Sequence, residues 1–514
     1  LWWCARCSHH ARQAPRHSPP NPLPKHRPPT TRWTLQPPAL RQENHVSDTL
    51  LRPVALWALL TLSGCALTPD PYERPSPGLP ARWSAQTSTH ASAAKWPAPV
   101  AWQSLYTDLR LQALIRMALE RNHDVRMALA RIDEARALWG VQRADQVPNL
   151  SLGASHTSAR TPALVQGNPS AVNVRRYDLG LNLLSFELDV WGRVASLSDA
   201  ARLNFQATEE DRRTIRLSLV SDVANTYYGW LEAQQRLELL RLTEANRNQF
   251  LTLIQKRAEL GAASGLDLTL AQNALQNLRA ERQTLERQVE LARNALGLLI
   301  GGQWPKALPE GLPMALQSLD LAWGAELPSD TLLQRPDVRA AEQRLMAAHA
   351  NIQAARVAFL PRLQLTGLLG SASPALNQLM GGGSQAWNFV PSLQQPLFDG
   401  GRTESGLDLA MARKNQAVVA YEKTLQQAFR EVADVLVTRD TLQEQWQQQN
   451  LALNSMRERE QLVEMRHRLG AASLQEWLDA QRDLIQAEQA QVQTQRLWLG
   501  ATAQLFKALG GGDL

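Results

Sequence analysis

Cysteine is nearly absent from this chain, and the few cysteines stand at one end. The 514 residues include three, Cys4, Cys7 and Cys65, so no pair remains beyond residue 65 to form a disulfide. Two histidines follow Cys7, but a second ligand pair at zinc-finger spacing is missing. The rest of the chain therefore depends on packing for its stability.

A surplus of positive charge is also missing once the N-terminus is set aside. Residues 1–64 hold eight of the 54 basic residues and two of the 48 acidic residues, so 46 of each remain. The net charge of +6 thus arises in the N-terminal segment, and no nucleic-acid partner is expected. Residues 1–45, rich in Pro and Arg, are interpreted as a disordered or non-native extension.

Catalytic and ligand-binding motifs are lacking too. The sequence contains no Ser-His-Asp set, phosphate-binding loop or metal-ligand spacing. His349 stands among alanines and is interpreted as a packed or solvated side chain. We therefore predict neither an enzyme nor a cofactor or metal site.

Hydrophobic runs are short. The run from Pro53 to Leu62 follows Arg52, ends at Leu62-Ser63-Gly64-Cys65, and is too short to span a bilayer as a helix. Residues 46–64 resemble a bacterial lipoprotein signal peptide, which implies a lipid on Cys65 and, with Ala66 next, outer-membrane sorting. The alternative is the start of an ordinary buried helix.

Residues 65–104 are rich in Pro, Ser and Ala and are expected to form an extended linker. Trp83, Trp96 and Trp102 anchor it either by packing or at a membrane interface, and the sequence leaves both readings open.

Pro and Gly nearly vanish from two long stretches, 194–260 and 403–469. Each stretch predicts one helix about 100 Å long. A coiled-coil stripe is expected at Val220, Ala224, Tyr227 and Leu231, with equivalents at Phe429, Ala433 and Leu436. Return helices are predicted at 266–300 and 474–509, and the short helices before Pro148 and Pro361 would stack end to end on them.

A turn that occurs twice joins each long helix to its return helix. Its residues are Arg257, Gly261 and Ser264 in the first copy and, 209 residues later, Arg466, Gly470 and Ser473. Gly supplies the left-handed residue that ends one helix, and Ser caps the next. Asp267 and Glu476 stand three residues after Ser, where each is expected to complete a capping box.

The same offset of 209 residues relates Gly192-Arg193 to Gly401-Arg402, which indicates an internal duplication. Upstream, Asp124 matches Asp337 at an offset of 213, so a four-residue difference falls between Leu150 and Gly192, where we expect a loop to absorb it. The predicted repeats are 105–310 and 311–514.

Alternation of apolar and polar residues predicts strands in each repeat. It occurs at 150–154 and 177–183, and again at 363–366 and 387–394. Strands that are apolar on one side and small or polar on the other suit a membrane barrel with a wet lumen. Because four strands cannot close a useful barrel and open edges are not tolerated in lipid, oligomerisation is expected.

Several longer motifs resemble one known family. They are Arg335-Pro336-Asp337-Val338-Arg339, Leu188-Asp189-Val190-Trp191-Gly192-Arg193 and Phe398-Asp399-Gly400-Gly401-Arg402. They resemble TolC-like outer-membrane factors, specifically the NodT/OprM-type efflux lipoproteins. The resemblance implies a mainly α-helical trimer with a twelve-stranded outer-membrane β-barrel continued by a long periplasmic α-helical barrel. It further implies a periplasmic adaptor and an inner-membrane pump of the RND type as partners.

The predicted function is the exit duct of a tripartite efflux pump that passively conducts small molecules. The alternatives are a protein-secretion channel of the same fold and a structural coiled-coil lipoprotein. By the resemblance, the six turn residues meet the adaptor. Glu476 and Asp479 lie three residues apart on the helix that lines the closed mouth, and three copies would form a gating carboxylate ring. Where some family members have a Tyr and an Arg latch, this chain has His467 and Ala472, so that latch is not expected.

Overall fold

The computed structural model describes residues 71–76, 78–83, 101–162, 170–317, 319 and 328–512, and Cys65 lies outside them. Two similar series of elements follow one another along the chain. The first comprises α1 (Trp102–Leu105), α2 (Leu109–Arg121), α3 (His123–Ala144), β1 (Leu150–Thr161), β2 (Val172–Leu188), α4 (Arg193–Glu259) and α5 (Gly265–Leu299). The second comprises α6 (Pro336–Arg356), β3 (Arg362–Ser373), β4 (Gln385–Gln394), α7 (Arg402–Arg468) and α8 (Leu474–Ala508).

The long helices confirm the duplication. Helices α4 and α7 each have 67 residues, and α5 and α8 each have 35. Corresponding helices begin 209 residues apart, within one residue of the predicted starts. A left-handed glycine precedes each long helix, Gly192 with φ of 75° and Gly401 with φ of 83°. No helix in the described ranges is both long and apolar enough to cross a membrane.

The short helices stack on the return helices, as predicted. The side-chain amide of Asn122, just before α3, donates to the last carbonyl of α5, Leu299 O, at 3.0 Å. In the second repeat, Arg335 stands just before α6 and donates to the last carbonyl of α8, Ala508 O, at 2.5 Å. Each donor satisfies an orphan carbonyl at a helix end. Thus α3 continues the line of α5, and α6 continues the line of α8.

These stacked pairs produce four helical columns side by side. Near the strands, helix α4 packs between α3 and α6, and α6 also packs on α7. Near the turns, helix α4 packs between α5 and α8, and α8 also packs on α7. The column order is therefore α3 with α5, then α4, then α6 with α8, then α7. The strands follow the same order, β1-β2-β3-β4 in one antiparallel sheet, so each strand continues into one column. Strands β1 and β4 are the sheet edges.

The strand register separates an apolar from a polar face. Leu152, Leu181, Leu369 and Trp387 face one another across all four strands, and their side chains are exposed, Leu152 at 74% and Trp387 at 77%. Five residues away along β3, an odd number, Gln364 pairs with Glu187 on one side and with Ser392 on the other. Since neighbouring residues point to opposite faces, the sheet has one apolar and one polar side. The predicted alternation is confirmed.

The core lies at mid-height, where α2 and the ends of α5 and α8 surround α4. Val220, Ala224, Tyr227 and Leu231 are buried, so the predicted stripe on α4 is confirmed. On α7, Leu436 is buried, but Phe429 and Ala433 are only half-buried. The line that α7 buries is instead Tyr421, Leu425, Ala428, Val432 and Leu436. The difference arises because α4 packs against columns on both sides, whereas α7 has a neighbour on one side only.

A buried carboxylate ties the two repeats together at this level. Asp108 caps α2 and is fully buried, and its Oδ2 accepts hydrogen bonds from the Tyr227 hydroxyl at 2.7 Å and from Gln317 Nε2 at 2.6 Å. The amide of Leu312 donates to the same oxygen at 3.1 Å. Because one donor belongs to α4 and the other two belong to the segment that connects the repeats, Asp108 holds this connection against α4.

The N-terminal segment packs on the outside of α6 and α7. Arg74 makes two hydrogen bonds to the buried Glu342, at 2.6 and 3.0 Å. Trp83 is buried, stacks on Phe429 with ring centroids 5.1 Å apart and donates to its carbonyl. Trp102 is buried too. Packing is thus the correct reading for Trp83 and Trp102, and Trp96 lies outside the described residues.

Two expectations need correction. The segment expected to be extended up to residue 104 ends in helix α1, because Trp102 and Leu105 turn into the core. The four-residue difference between repeats lies in a strand rather than a loop. Strands β2 and β4 still begin 213 residues apart, but β2 has 17 residues and β4 has 10. The connection 189–192 is three residues shorter than the connection 395–401, so the seven extra strand residues leave a net difference of four. Strand β2 has a bulge between Leu183 and Phe186, where Ser185 has φ of 46°.

Candidate functional site

The two predicted turns are exposed helix reversals with the same backbone. Gly261 has φ of 72° and Gly470 has φ of 75°. In each turn the residue after Gly donates its amide to the carbonyl of Arg257 or Arg466, at 2.7 and 2.8 Å. This is the hydrogen bond that closes a glycine-terminated helix. The local motif therefore predicted both turns correctly.

Each turn also presents a leucine to solvent. Leu260 is 84% exposed and Leu469 is 79% exposed, and each stands immediately before the glycine. Both occupy the last position before the chain reverses, so neither leucine can reach its own hairpin core. An exposed leucine at both tips is a feature that the sequence motif alone did not single out.

The capping boxes differ between the copies. In the first turn, Asp267 Oδ2 accepts from the Ser264 amide at 3.1 Å while Ser264 Oγ accepts from the Asp267 amide at 3.0 Å. In the second turn, Ser473 Oγ accepts from the Glu476 amide, but the Glu476 carboxylate lies 3.1 Å from Arg466 Nη1 instead. The expectation of a second capping box is wrong, because the longer Glu side chain pairs with an arginine across the turn.

Both candidate gate carboxylates are therefore ion-paired within their own hairpin. Asp479 Oδ1 lies 3.1 Å from Arg482 Nη1, and Asp479 Oδ2 accepts from Gln475 Nε2 at 3.0 Å. Glu476 pairs with Arg466 as described. Both side chains remain partly exposed, at 34% for Asp479 and 42% for Glu476. Each acid thus lies on an open surface with a cation beside it.

An aromatic contact joins the second hairpin to the first. Trp477 of α8 meets Phe250 of α4 edge to face, with ring centroids 4.8 Å apart. His467 of α7 stacks on the same Trp477 at 5.4 Å. The indole nitrogen donates to Glu460 at 3.2 Å. The turn of the second repeat is therefore held against a helix of the first by Trp477.

A pair of like charges acts across the same interface, one to two helical turns from Trp477. Arg247 of α4 is 8% exposed, and its Nε has no hydrogen-bond partner among the described residues. Burial lowers the pKa of the Arg247 guanidinium, and the positive charge of Arg482 on α8 lowers it further. Asp479 and Asp483 lie beside Arg482, at 3.1 and 3.8 Å. These acids partly neutralise a charge that would otherwise repel α8 from α4.

Sequence reasoning missed this interface because it depends on residues 227 positions apart. One signal was available: Trp477 and Arg482 correspond, at the offset of 209, to Leu268 and Asn273. At these two positions the repeats differ, and the residues of the second repeat act on α4 of the first. In the described ranges, no group of three or more His, Cys, Asp or Glu side chains is arranged to hold a metal ion.

Comparison with known proteins fits this architecture. The family model for outer membrane efflux proteins matches residues 114–302 and 327–511, one match per repeat. The chain belongs to the outer membrane efflux protein family. The outer membrane protein OprJ of Pseudomonas aeruginosa is 41% identical over 463 residues, which cover 89% of this chain and 95% of OprJ. The solvent efflux pump outer membrane protein SrpC of Pseudomonas putida is 37% identical, covering 89% of this chain and 97% of SrpC.

Solved structures agree with the family assignment. The open state of the MtrE outer membrane channel of Neisseria gonorrhoeae superposes with a TM-score of 0.77 at 32% identity, over 87% of this chain and 98% of MtrE. The predicted fold class, a duplicated, mainly helical outer-membrane channel chain with a strand sheet, is confirmed. Family membership also confirms the predicted function in outer-membrane efflux.

Proposed function

We propose that three copies of this chain form the exit duct of a tripartite efflux pump. The observation that carries the proposal is the continuity of four strands with four helical columns in the same order. Such a chain is one segment of a wall that passes from the apolar-faced sheet to the helical turns. A duct of this kind conducts passively, because a wide polar passage makes few specific contacts.

Closure of the wall requires further copies. Strands β1 and β4 each leave one edge unpaired, and in lipid every backbone polar group needs an internal partner. Helix α7 likewise has a column on one side only. Both gaps close when neighbouring copies join. Strand β4 of one copy would then pair with β1 of the next, and α7 would pack against the column of α3 and α5 of that next copy. Three copies give the twelve strands that the family resemblance implies.

The cargo is proposed to be small molecules supplied by an inner-membrane pump of the RND type through a periplasmic adaptor. SrpC is named for solvent efflux, and ArpC of Pseudomonas putida, 37% identical over 454 residues, is named for antibiotic efflux. These names favour export of small compounds over the alternative of protein secretion. A structural coiled-coil lipoprotein would not need the two-faced sheet.

The six turn residues are proposed as the adaptor-docking surface. Arg257, Gly261 and Ser264 share one backbone with Arg466, Gly470 and Ser473, so a trimer would present six similar tips. Leu260 and Leu469 add an exposed apolar side chain at every tip. Repeated, exposed and apolar features at the end of a duct suit contact with a helical partner.

Asp479 and, to a smaller extent, Glu476 are proposed to form the periplasmic gate. Three copies of each carboxylate at one mouth would attract cations. Asp479 also neutralises Arg482, whose positive charge acts on the buried Arg247. The acid would thus stabilise the contact of α8 with α4, in addition to its effect on ions.

Cys65 is proposed as the lipid-bearing N-terminus of the mature chain, which would anchor the protein in the outer membrane and leave the helices in the periplasm. We expect mass spectrometry of the protein from its native host to show a chain that begins at Cys65 and carries acyl groups. A mature chain that begins upstream of Cys65 would contradict the anchor without affecting the duct.

Disruption of the gene in the native host tests the proposed function. We expect ethidium accumulation to rise several-fold and to return to normal on complementation. Unchanged accumulation together with loss of a secreted protein would favour the secretion channel. Unchanged accumulation together with a leaky envelope would favour a structural lipoprotein.

A further inference from the structure

An arginine-lined cavity lies where the helical columns meet the sheet. It has a volume of about 440 Å³ and is bounded by α4, α6, α7 and the start of β3. Four arginines line it, Arg193, Arg344, Arg362 and Arg413. Its floor is the small-residue face of α6, formed by Ala347, Ala348, Ala354 and Ala355, together with Ala358 in the short turn that follows this helix. The size is within the range of small-molecule sites, roughly 300–1,000 Å³.

The strand register shows on which side of the wall the cavity opens. Arg362 pairs with Gln394, and Glu187, which binds Arg193 at 2.6 Å, pairs with Gln364. All of these positions belong to the polar face of the sheet, opposite the leucine face. In a duct whose apolar face meets lipid, the polar face lines the lumen.

The N-terminal segment gives an independent indication of the same side. Tyr72 and Arg74 bind Glu342, and Tyr72 lies edge-on to His349. On a helix of 3.6 residues per turn, positions 342 and 349 are opposite the alanine face of α6. The N-terminal segment and the cavity therefore lie on opposite sides of α6.

The cavity carries uncompensated positive charge. Glu187 neutralises Arg193, and Asp211 neutralises Arg344. Arg362 and Arg413 have no carboxylate within ion-pair distance in the part of the chain that the structure describes, although Glu187 is near enough to Arg362 to sense its charge. Ion pairs thus hold two of the four arginines and leave an excess of two guanidinium groups without an ion-pair partner, while Asp189 and Asp145 act on Arg193 through longer-range attraction.

The nearest acids on α7 do not correct this excess. Glu404 and Asp408 are exposed and project from the side of α7 opposite Gly406, Ala410 and Arg413, which line the cavity. In a trimer the excess would be repeated three times at one level of the lumen.

The combination of an alanine floor with free guanidinium groups selects one class of ligand. A guanidinium binds carboxylate, sulfonate or phosphate oxygens through paired hydrogen bonds. The alanine floor offers a flat apolar surface for a hydrocarbon or ring. We propose that this cavity is a transit site for amphipathic organic anions, which the duct retains briefly as they pass from helices to sheet. This inference rests on the proposed duct function.

Planar-bilayer recording of the purified full-length protein tests the proposal, with naphthalenedisulfonate as the probe. We expect the dianion, added on the side of the sheet, to block the current reversibly and to do so less at high salt. The dication dimethylbipyridinium, of similar size, is expected to leave the current unchanged. The variant Arg362→Gln/Arg413→Gln should weaken the block at least tenfold and shift ion permeability towards cations.

Two further variants make the result specific. Arg430→Gln removes an arginine of α7 that is 80% exposed and does not line the cavity, so its block should match the unsubstituted protein. Arg362→Lys/Arg413→Lys keeps the charge but loses the paired hydrogen bonds, so it should keep the ion permeability while the block weakens.

Three outcomes would contradict the transit site. The transit site would be overturned if the dianion blocked the unsubstituted protein and the Gln variant equally. It would also be overturned if the dianion and the dication blocked the unsubstituted protein equally, and in both cases the duct would remain. A purified protein that forms no channels at all would overturn the duct and the transit site together.

Discussion

The two repeats share one backbone but use their turns differently. The first turn is self-contained: Asp267 and Ser264 cap one another, and the Arg257 side chain makes no hydrogen bond or ion pair within the described residues. The second turn pairs Glu476 with Arg466 and packs Trp477 on Phe250 of the first repeat. Duplication therefore supplied two equal hairpins, and later differences at few positions made one of them dependent on the other.

This difference indicates that the first hairpin is structural and that the second hairpin moves. A hairpin that closes on itself is a fixed part of the wall. Near its turn, the second hairpin meets the first through an aromatic pair and a set of charges, and this end of the hairpin can change position when those contacts change. We therefore expect substitutions in the second turn to alter opening, while substitutions of shared turn features affect both hairpins alike.

The largest effect is expected at the glycine that both turns share. Gly470→Val places a β-branched residue at φ of 75°, where an L residue costs roughly 1–2 kcal/mol, although the added Cβ meets open space. The altered turn should reduce dye export nearly to the level of the disrupted gene while the trimer stays in the outer membrane. Gly261→Val should act similarly, since both tips are proposed to dock.

The control for this prediction is the amount of trimer in outer-membrane fractions, which should not change. Normal export in the Gly470 variant would remove the docking role of the second tip. Loss of export in only one of the two variants would show that the hairpins are not equivalent at the adaptor.

The next largest effect is expected at Asp479. Asp479→Ala leaves Arg482 with Asp483 at 3.8 Å as its remaining counter-charge, so the repulsion from Arg247 grows. We expect a several-fold higher conductance of the trimer in planar bilayers and weaker cation selectivity. Glu476→Gln should have a smaller effect, since Glu476 pairs with Arg466 across its own turn.

Two further variants separate the charge mechanism from general loosening. Arg247→Met introduces the residue that the second repeat has at Met456, and combined with Asp479→Ala it should restore low conductance. Leu270→Ala changes the matching position in the first repeat and should leave conductance unchanged. Unchanged conductance and selectivity in Asp479→Ala would mean that the carboxylate is only a solvated part of the helix.

A moderate effect is expected from the aromatic contact. Trp477→Leu introduces the residue of the first repeat, Leu268, and removes an edge-to-face pair of about 0.5–1.5 kcal/mol. Single-channel recording should show a roughly two- to tenfold higher ratio of open to closed time. In a double-mutant cycle with Phe250→Leu, the two effects should be less than additive; strict additivity would show that the rings do not act together.

Much of this fold could be predicted because its signals are local. Long Pro-free stretches, a cap residue and a glycine set the ends of α4, α5, α7 and α8 to within about one residue. Strand β2 proved longer than its alternation suggested, since Ser185 interrupts the period with a bulge. A bulge has no reliable sequence signal, because it depends on the partner strand.

The features of the candidate site that depend on local sequence were also predictable, and those that depend on distant residues were not. The turn glycines and serines were found from a motif of eight residues, and their geometry follows from it. The contacts of Trp477 and Arg247 were not found, because side chains far apart in sequence meet only after the columns pack. The position of Glu476, equivalent to that of Asp267, predicts a capping box. The Glu476 side chain is one methylene longer, however, and it reaches Arg466 instead.

The smallest effect concerns this capping difference. Asp267→Ala removes the carboxylate that accepts from the Ser264 amide and should weaken the start of α5 by about 1 kcal/mol. Glu476→Ala removes an exposed ion pair, worth about 0–1 kcal/mol, and leaves the Ser473 cap intact. Amide hydrogen exchange of the trimer should therefore accelerate several-fold at residues 264–268 in the first variant and hardly change at 473–477 in the second. Equal acceleration in both turns would show that Glu476 stabilises its turn as much as a true capping box does, and the two hairpins would then differ only in their contacts with each other.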